Sequence, residues 1–154
     1  MRVPTSAKIL GGLGLLPFIW GAISTVFSYE LEPISRVLLK TGFVSFWGPM
    51  LVLNYGLIIL SFMGGALWGF AAKSEQDQSY RFYIYSVVPA LWALFFVVPS
   101  PWINTLDALL IGFIGLFYID VTFFKNALTP KWWLRLRLPL TIVVALCILI
   151  TRFN

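Results

Sequence analysis

The sequence predicts an all-α, polytopic integral membrane protein with five transmembrane helices and a short interfacial amphipathic helix, forming a single helical domain over residues 1–154. Three observations carry this. Of the 154 residues, 60% are hydrophobic and 11% charged, against about 45–50% and 25% in an ordinary soluble domain. The apolar residues gather into five runs, near residues 9–28, 49–72, 82–98, 103–124 and 134–151, each close to the roughly 20 residues that a bilayer-spanning helix uses. Charged residues and proline pairs fall between the runs, and the connections are too short to hold a soluble domain.

The first run follows Arg2 and Lys8 as a signal peptide would, but no A-x-A-like cleavage site comes after it, so it is expected to stay as a span. It holds Gly11, Gly12, Gly14 and Gly21, with Pro17 as the expected site of a kink. Residues 29–48 are too long for a tight turn and too mixed to cross a bilayer. Within them, Pro33 suits a first helical turn. Ile34, Val37 and Leu38 then share one face against Ser35, Arg36 and Lys40, which gives an interfacial helix over residues 33–42 ending at Gly42. A connector resting on headgroups is preferred here to a lid over a cavity. The second span stops at the polar run from Lys73 to Gln78. The third stops at Pro99, Ser100 and Pro101, which do not readily continue a helix. The short turn that follows makes the third and fourth spans an antiparallel hairpin. The fifth span begins after Trp132 and Trp133, placed as aromatic anchors at the interface.

Missing residue types narrow the chemistry. The chain has no histidine, which removes histidine-ligated haem and zinc, the Ser-His-Asp triad and the usual neutral-pH proton shuttle. Its one cysteine, Cys147, lies in an apolar run and reads as a small hydrophobe. No catalytic, cofactor or metal residues are assigned, and the chain is not expected to be an enzyme. The formal charge of +5 comes from residues at the ends of apolar runs, so the expected partners are membrane lipids, including anionic phospholipid, and other integral membrane subunits, with no nucleic acid. Eight basic residues fall on one side (Arg2, Lys8, Lys73, Arg81, Lys125, Lys131, Arg135, Arg137) and three on the other (Arg36, Lys40, Arg152). The positive-inside rule then puts the N-terminus in the cytoplasm of a bacterium, with the protein in the inner membrane. The alternative is a mitochondrial inner membrane with the N-terminus in the matrix.

Two constellations stand out. In the second span Ser61, Gly65 and Gly69 recur every four residues, Gly64 widens their flat ridge, and Asn54 lies seven residues before Ser61 near the same face. Small residues at this spacing let helices approach closely. The ridge is expected to pack within this chain in preference to a foreign subunit. In the fourth span Asp107 and Asp120 are thirteen residues apart, about 20 Å along a helix, too far to share acid/base work. Asp107 suits the positive end of its helix. Asp120 lies among aromatic and branched residues, where an unpaired charge costs about 2.5–3.5 kcal/mol toward the membrane centre. A basic partner is therefore expected, Arg135 or Arg137, leaving the other arginine for a lipid phosphate or an acidic group of a partner.

The order of motifs is also informative. Residues 12–18 read GLGLLPF, residues 54–69 NYGLIILSFMGGALWG, residues 86–89 SVVP and residues 132–141 WWLRLRLPLT. The pattern resembles the bacterial and mitochondrial family of unknown function that includes transmembrane protein 69, and the resemblance covers most of the chain. It implies a compact multi-span inner-membrane protein and supplies no catalytic motif. The preferred expectation is a non-catalytic accessory or assembly subunit of a respiratory or other energy-converting inner-membrane complex, acting through helix packing and lipid anchoring. The alternative is a small transporter or lipid-handling protein, with a polar cavity lined by Asn54, Tyr55, Ser61 and Asp120.

Overall fold

The computed structural model describes residues 2–27, 33–34, 36–37, 47–73, 80–98 and 103–154. Its elements are α1 (Thr5–Leu13), α2 (Leu16–Val26), α3 (Gly48–Ala72), α4 (Tyr80–Trp92) with a π-helical turn at Ala93–Val97, α5 (Thr105–Lys125) and α6 (Trp133–Phe153). Taking α1 with α2 and α4 with its π-turn, five helical stretches are long and apolar enough to cross a membrane. No strand occurs among the described residues. Pro33, Ile34, Arg36 and Val37 are helical and exposed; the rest of the expected interfacial segment, and with it the choice between connector and lid, lies outside the described residues.

The first span is broken where its sequence is weakest. Gly14 and Leu15 form a turn, and Pro17 sits in the first turn of α2, where its missing N–H does no harm. Two prolines lie inside helices, Pro89 in α4 and Pro139 in α6, and each removes one bond from its helical ladder. The π-turn ends α4 just before Pro99. Asn104 starts α5 by accepting the Leu106 N–H at 2.9 Å, with Asp107 in the first turn, where the helix dipole favours an acid.

Packing centres on α3, which contacts α2, α4, α5 and α6. The bundle is held together by close approaches at glycines. A Cβ at Gly21 of α2 would stand 2.5 Å from Val52 Cγ2 of α3, and one at Gly112 of α5 would stand 2.8 Å from a methyl of Leu60. Gly48 opens α3 with a φ of +50°, a conformation that costs glycine nothing, and its N–H donates to Ser24 Oγ at 2.9 Å. Trp92 donates its indole N–H to the Ala108 carbonyl at 2.8 Å, which ties α4 to α5. Outside these contacts the helices present apolar side chains outward: Phe62, Phe95, Ile114 and Tyr118 are all exposed. Such a surface suits hydrocarbon and is far more apolar than a soluble monomer shows.

The ridge expected to pack within the chain meets no helix among the described residues. Ser61, Gly65 and Gly69 are exposed, and a Cβ at Gly65 or Gly69 would meet no atom within 4 Å. Asn54 is exposed too. Gly64 makes the contact instead: its Cβ would lie 2.6 Å from the Ser86 carbonyl oxygen of α4. The reason is rotation. Adjacent residues differ by about 100° around a helix, so α3 turns its Gly56, Leu60 and Gly64 row to the core and leaves the neighbouring row bare.

Because the atom opposing Gly64 is backbone, it cannot swing aside. Gly64→Ala is expected to lower stability by about 1–3 kcal/mol through overpacking, whereas Gly65→Ala should stay within about 0.5 kcal/mol of the parent. Unfolding of the two variants side by side in bicelles checks the difference.

Candidate functional site

The buried residues of α5 include Leu109, Phe113, Leu116, Asp120 and Phe123, spaced alternately by four and three. That is the spacing of an apolar stripe facing another helix, and Asp120 occupies one of its positions. On α6 the buried residues are Arg137, Val144, Cys147, Ile148 and Thr151. The two stripes face one another and bring the charges together. Asp120 is 0% exposed and Arg137 6% exposed. Arg137 Nε donates to Asp120 Oδ2 at 2.8 Å, and Trp133 Nε1 donates to Oδ1 at 2.7 Å. Each carboxylate oxygen thus has a donor, and both donors come from one face of α6, four residues apart.

Trp133 lies edge-on to Phe70 of α3 at 4.9 Å and beside Trp132 at 6.0 Å, so the site joins three helices. Arg137 also forms part of the wall of a half-open groove of about 470 Å³ between α1, α2, α3 and α6. The break at Gly14 and Leu15 helps shape it: α2 packs on α3 and α6, while the main contact of α1 is with α6. The walls are otherwise mainly apolar, with Leu10, Phe18, Ile59, Met63 and Val144 among them, and Thr141 adds a hydroxyl. Two donors of these lining residues have no acceptor: Arg137 Nη2 and Thr141 Oγ1 are enclosed without a hydrogen-bond partner.

A family model described as Protein of unknown function (DUF3429) matches residues 3–153. The chain belongs to the DUF3429 family. Comparison with curated proteins and with solved structures gives no match.

In this DUF3429 chain the sequence-derived candidates separate into three places. Asp120, Arg137 and Trp133 meet in the buried cluster. Arg135 is exposed and lines a separate pocket with Lys131 and Thr129 at the α5–α6 connection. Asn54, Ser61, Gly65 and Gly69 are exposed on α3, and among the described residues only Gly64 of that group lies against another helix. Trp132 and Trp133 are both partly buried. Trp133, expected as an interfacial anchor, has an indole that helps fix the carboxylate. Two features had no sequence signal that pointed to them. One is the groove, which arises from helix placement. The other is a second ion pair, Arg152 Nε to Asp107 Oδ1 at 3.0 Å, whose partners are 45 residues apart.

Removing one partner of a buried pair leaves the other charge uncompensated, which costs about 3–5 kcal/mol. Asp120→Asn is expected to destabilise on that scale, and Arg137→Met in the same chain should recover part of the loss. Arg135→Gln, by contrast, should combine with Asp120→Asn additively to within about 0.5 kcal/mol. Double-mutant cycles read from denaturation in mixed micelles check both expectations.

Proposed function

We propose that this DUF3429 protein is a non-catalytic accessory or assembly subunit of an inner-membrane complex, akin to the kin of transmembrane protein 69, and that it acts by helix packing and lipid anchoring. One observation carries the reading: the Ser61, Gly65 and Gly69 row of α3 is flat, bears no Cβ at its two glycines and is covered by no helix among the described residues. Close backbone approach is what drives helix association in lipid, where burial of apolar surface brings no gain. A flat row left bare by its own chain suits a helix from another subunit, and Asn54 near one end of it suits an interhelical hydrogen bond. In this reading the five helices cross the membrane with the N-terminus cytoplasmic, or facing the matrix in a mitochondrion, because basic residues crowd that side. The energy-converting nature of the complex rests on the likeness to that bacterial and mitochondrial family.

A second reading, a lipid-handling membrane protein, has one observation in its favour, the groove with two unmet donors beside the ion pair.

Purification in mild detergent with identification of co-purifying membrane proteins tests the first reading. Gly65→Leu should leave the stability of the isolated chain near the parent value, within about 0.5 kcal/mol, and abolish co-purification of the partner. Unchanged co-purification would sink the proposal. Reporter fusions test the topology separately: a cytoplasm-requiring reporter should be active after Lys73 and silent after Asn154, and the reverse pattern would invert the orientation.

A further inference from the structure

Buried hydroxyls in this fold are normally engaged by their own helix. Ser24 donates to the Gly21 carbonyl at 3.1 Å, Ser86 to Tyr83 at 2.7 Å and Thr151 to Cys147 at 2.8 Å. Thr141 departs from this pattern, as Thr129 of the α5–α6 connection does, for its Oγ1 is enclosed with no partner. One turn earlier on the same face of α6, Arg137 Nη2 is enclosed without an acceptor as well. Both residues line the groove. An unmet donor on a charged group is costlier than one on a neutral group, and a buried water needs two to four polar partners, which these mainly apolar walls supply poorly. The missing element is an acceptor carried on an apolar body.

Charge decides what kind of acceptor it is. Asp120 already neutralises Arg137 at 2.8 Å, so an anion in the groove would set two negative groups on one guanidinium in low dielectric. A neutral oxygen avoids that repulsion. The dimensions point the same way. On α6 the groove extends from Trp133 to Val144, about 16 Å of helix. Its Trp133 end lies at the tryptophan pair, the residue type that marks the headgroup level.

We propose that the groove holds the ester region and the first methylenes of one acyl chain of a membrane phospholipid, with the ester carbonyl accepting hydrogen bonds from Arg137 Nη2 and Thr141 Oγ1 and the rest of the tail leaving past Val144. Binding requires that these two side chains, whose donor atoms are enclosed, shift so that the donors turn to the groove. The assignment rests on the helices crossing a membrane, and it is independent of any partner docked on α3.

The full chain, stripped of lipid in mild detergent, is exchanged against two phosphatidylethanolamines with the same headgroup and tails, one ester-linked and one ether-linked. The ether lipid lacks the carbonyl and keeps everything else. Native mass spectrometry should show the ester lipid retained at least about 10-fold more than the ether lipid, the effect of two hydrogen bonds of which one comes from a charged donor. Thr141→Val removes a hydroxyl that bonds to nothing in the fold, and it should narrow that ratio without lowering thermal stability. Equal retention of the two lipids by the parent chain would overturn the proposal, as would a quinone retained in their place or water found on Nη2 in an empty groove. Loss of partner co-purification in Gly65→Leu with the ester preference intact would show that the two sites are separate.

Discussion

A carboxyl group out of reach of water needs hydrogen-bond donors brought to its oxygens, and this requirement on Asp120 organises much of the bundle. Arg137 answers it with charge and Trp133 with an indole N–H, which fixes the rotation of α6 about its own axis. At the other end of the same two helices, Arg152 meets Asp107. As residue numbers rise along α5 they fall along α6, so the two pairs also fix an antiparallel register. The inner pair is dry, and the outer pair is partly exposed. Rim pairs of that kind contribute little to stability, so the inner cluster carries the constraint. Trp133 extends the constraint to α3 through Phe70.

Much of this was legible because the chain breaks its own rule at few places. Five long apolar runs with polar breaks define helices by hydropathy alone, and the described residues form five helical stretches long and apolar enough to cross a membrane. That Asp120 needed a cation was readable from its setting among Tyr118, Val121, Phe123 and Phe124. The choice between Arg135 and Arg137 lies in helical phase. Arg137 is seven residues before the buried Val144, whereas Arg135, two residues earlier, is turned by about 200° and exposed. The Asp107 pair was not readable, since nothing local links two surface charges separated by a whole hairpin.

The face of α3 shows where sequence reasoning stops. In a soluble helix, polarity marks the outside. Here Ile58, Phe62 and Trp68 on the exposed side are as apolar as Leu60, Met63 and Leu67 on the buried side, so no amphipathic signal selects a face. The adjacent Gly64 and Gly65 belong to neighbouring rows, that of Gly56, Leu60 and Gly64 and that of Ser61, Gly65 and Gly69. Packing chose the row containing Gly56 and Gly64, because the backbone of α4 and the Leu109 side chain come close there.

That choice sets the relation between the two outward-facing features of the molecule. Around α3, the row against α4 and α5 takes one side, and the bare Ser61, Gly65 and Gly69 row lies about a third of a turn from it. Ile59, Met63 and Ala66 face the groove on the remaining side. Phe62 lies between the bare row and the groove: it is exposed and also lines the groove. A helix laid along the glycines would run beside Phe62 and so beside the groove's edge. Neither surface requires chemistry at Asp120. The ion pair acts by keeping α6, and with it Thr141, at one rotation against α3, and that rotation holds both polar groups of the groove in its wall.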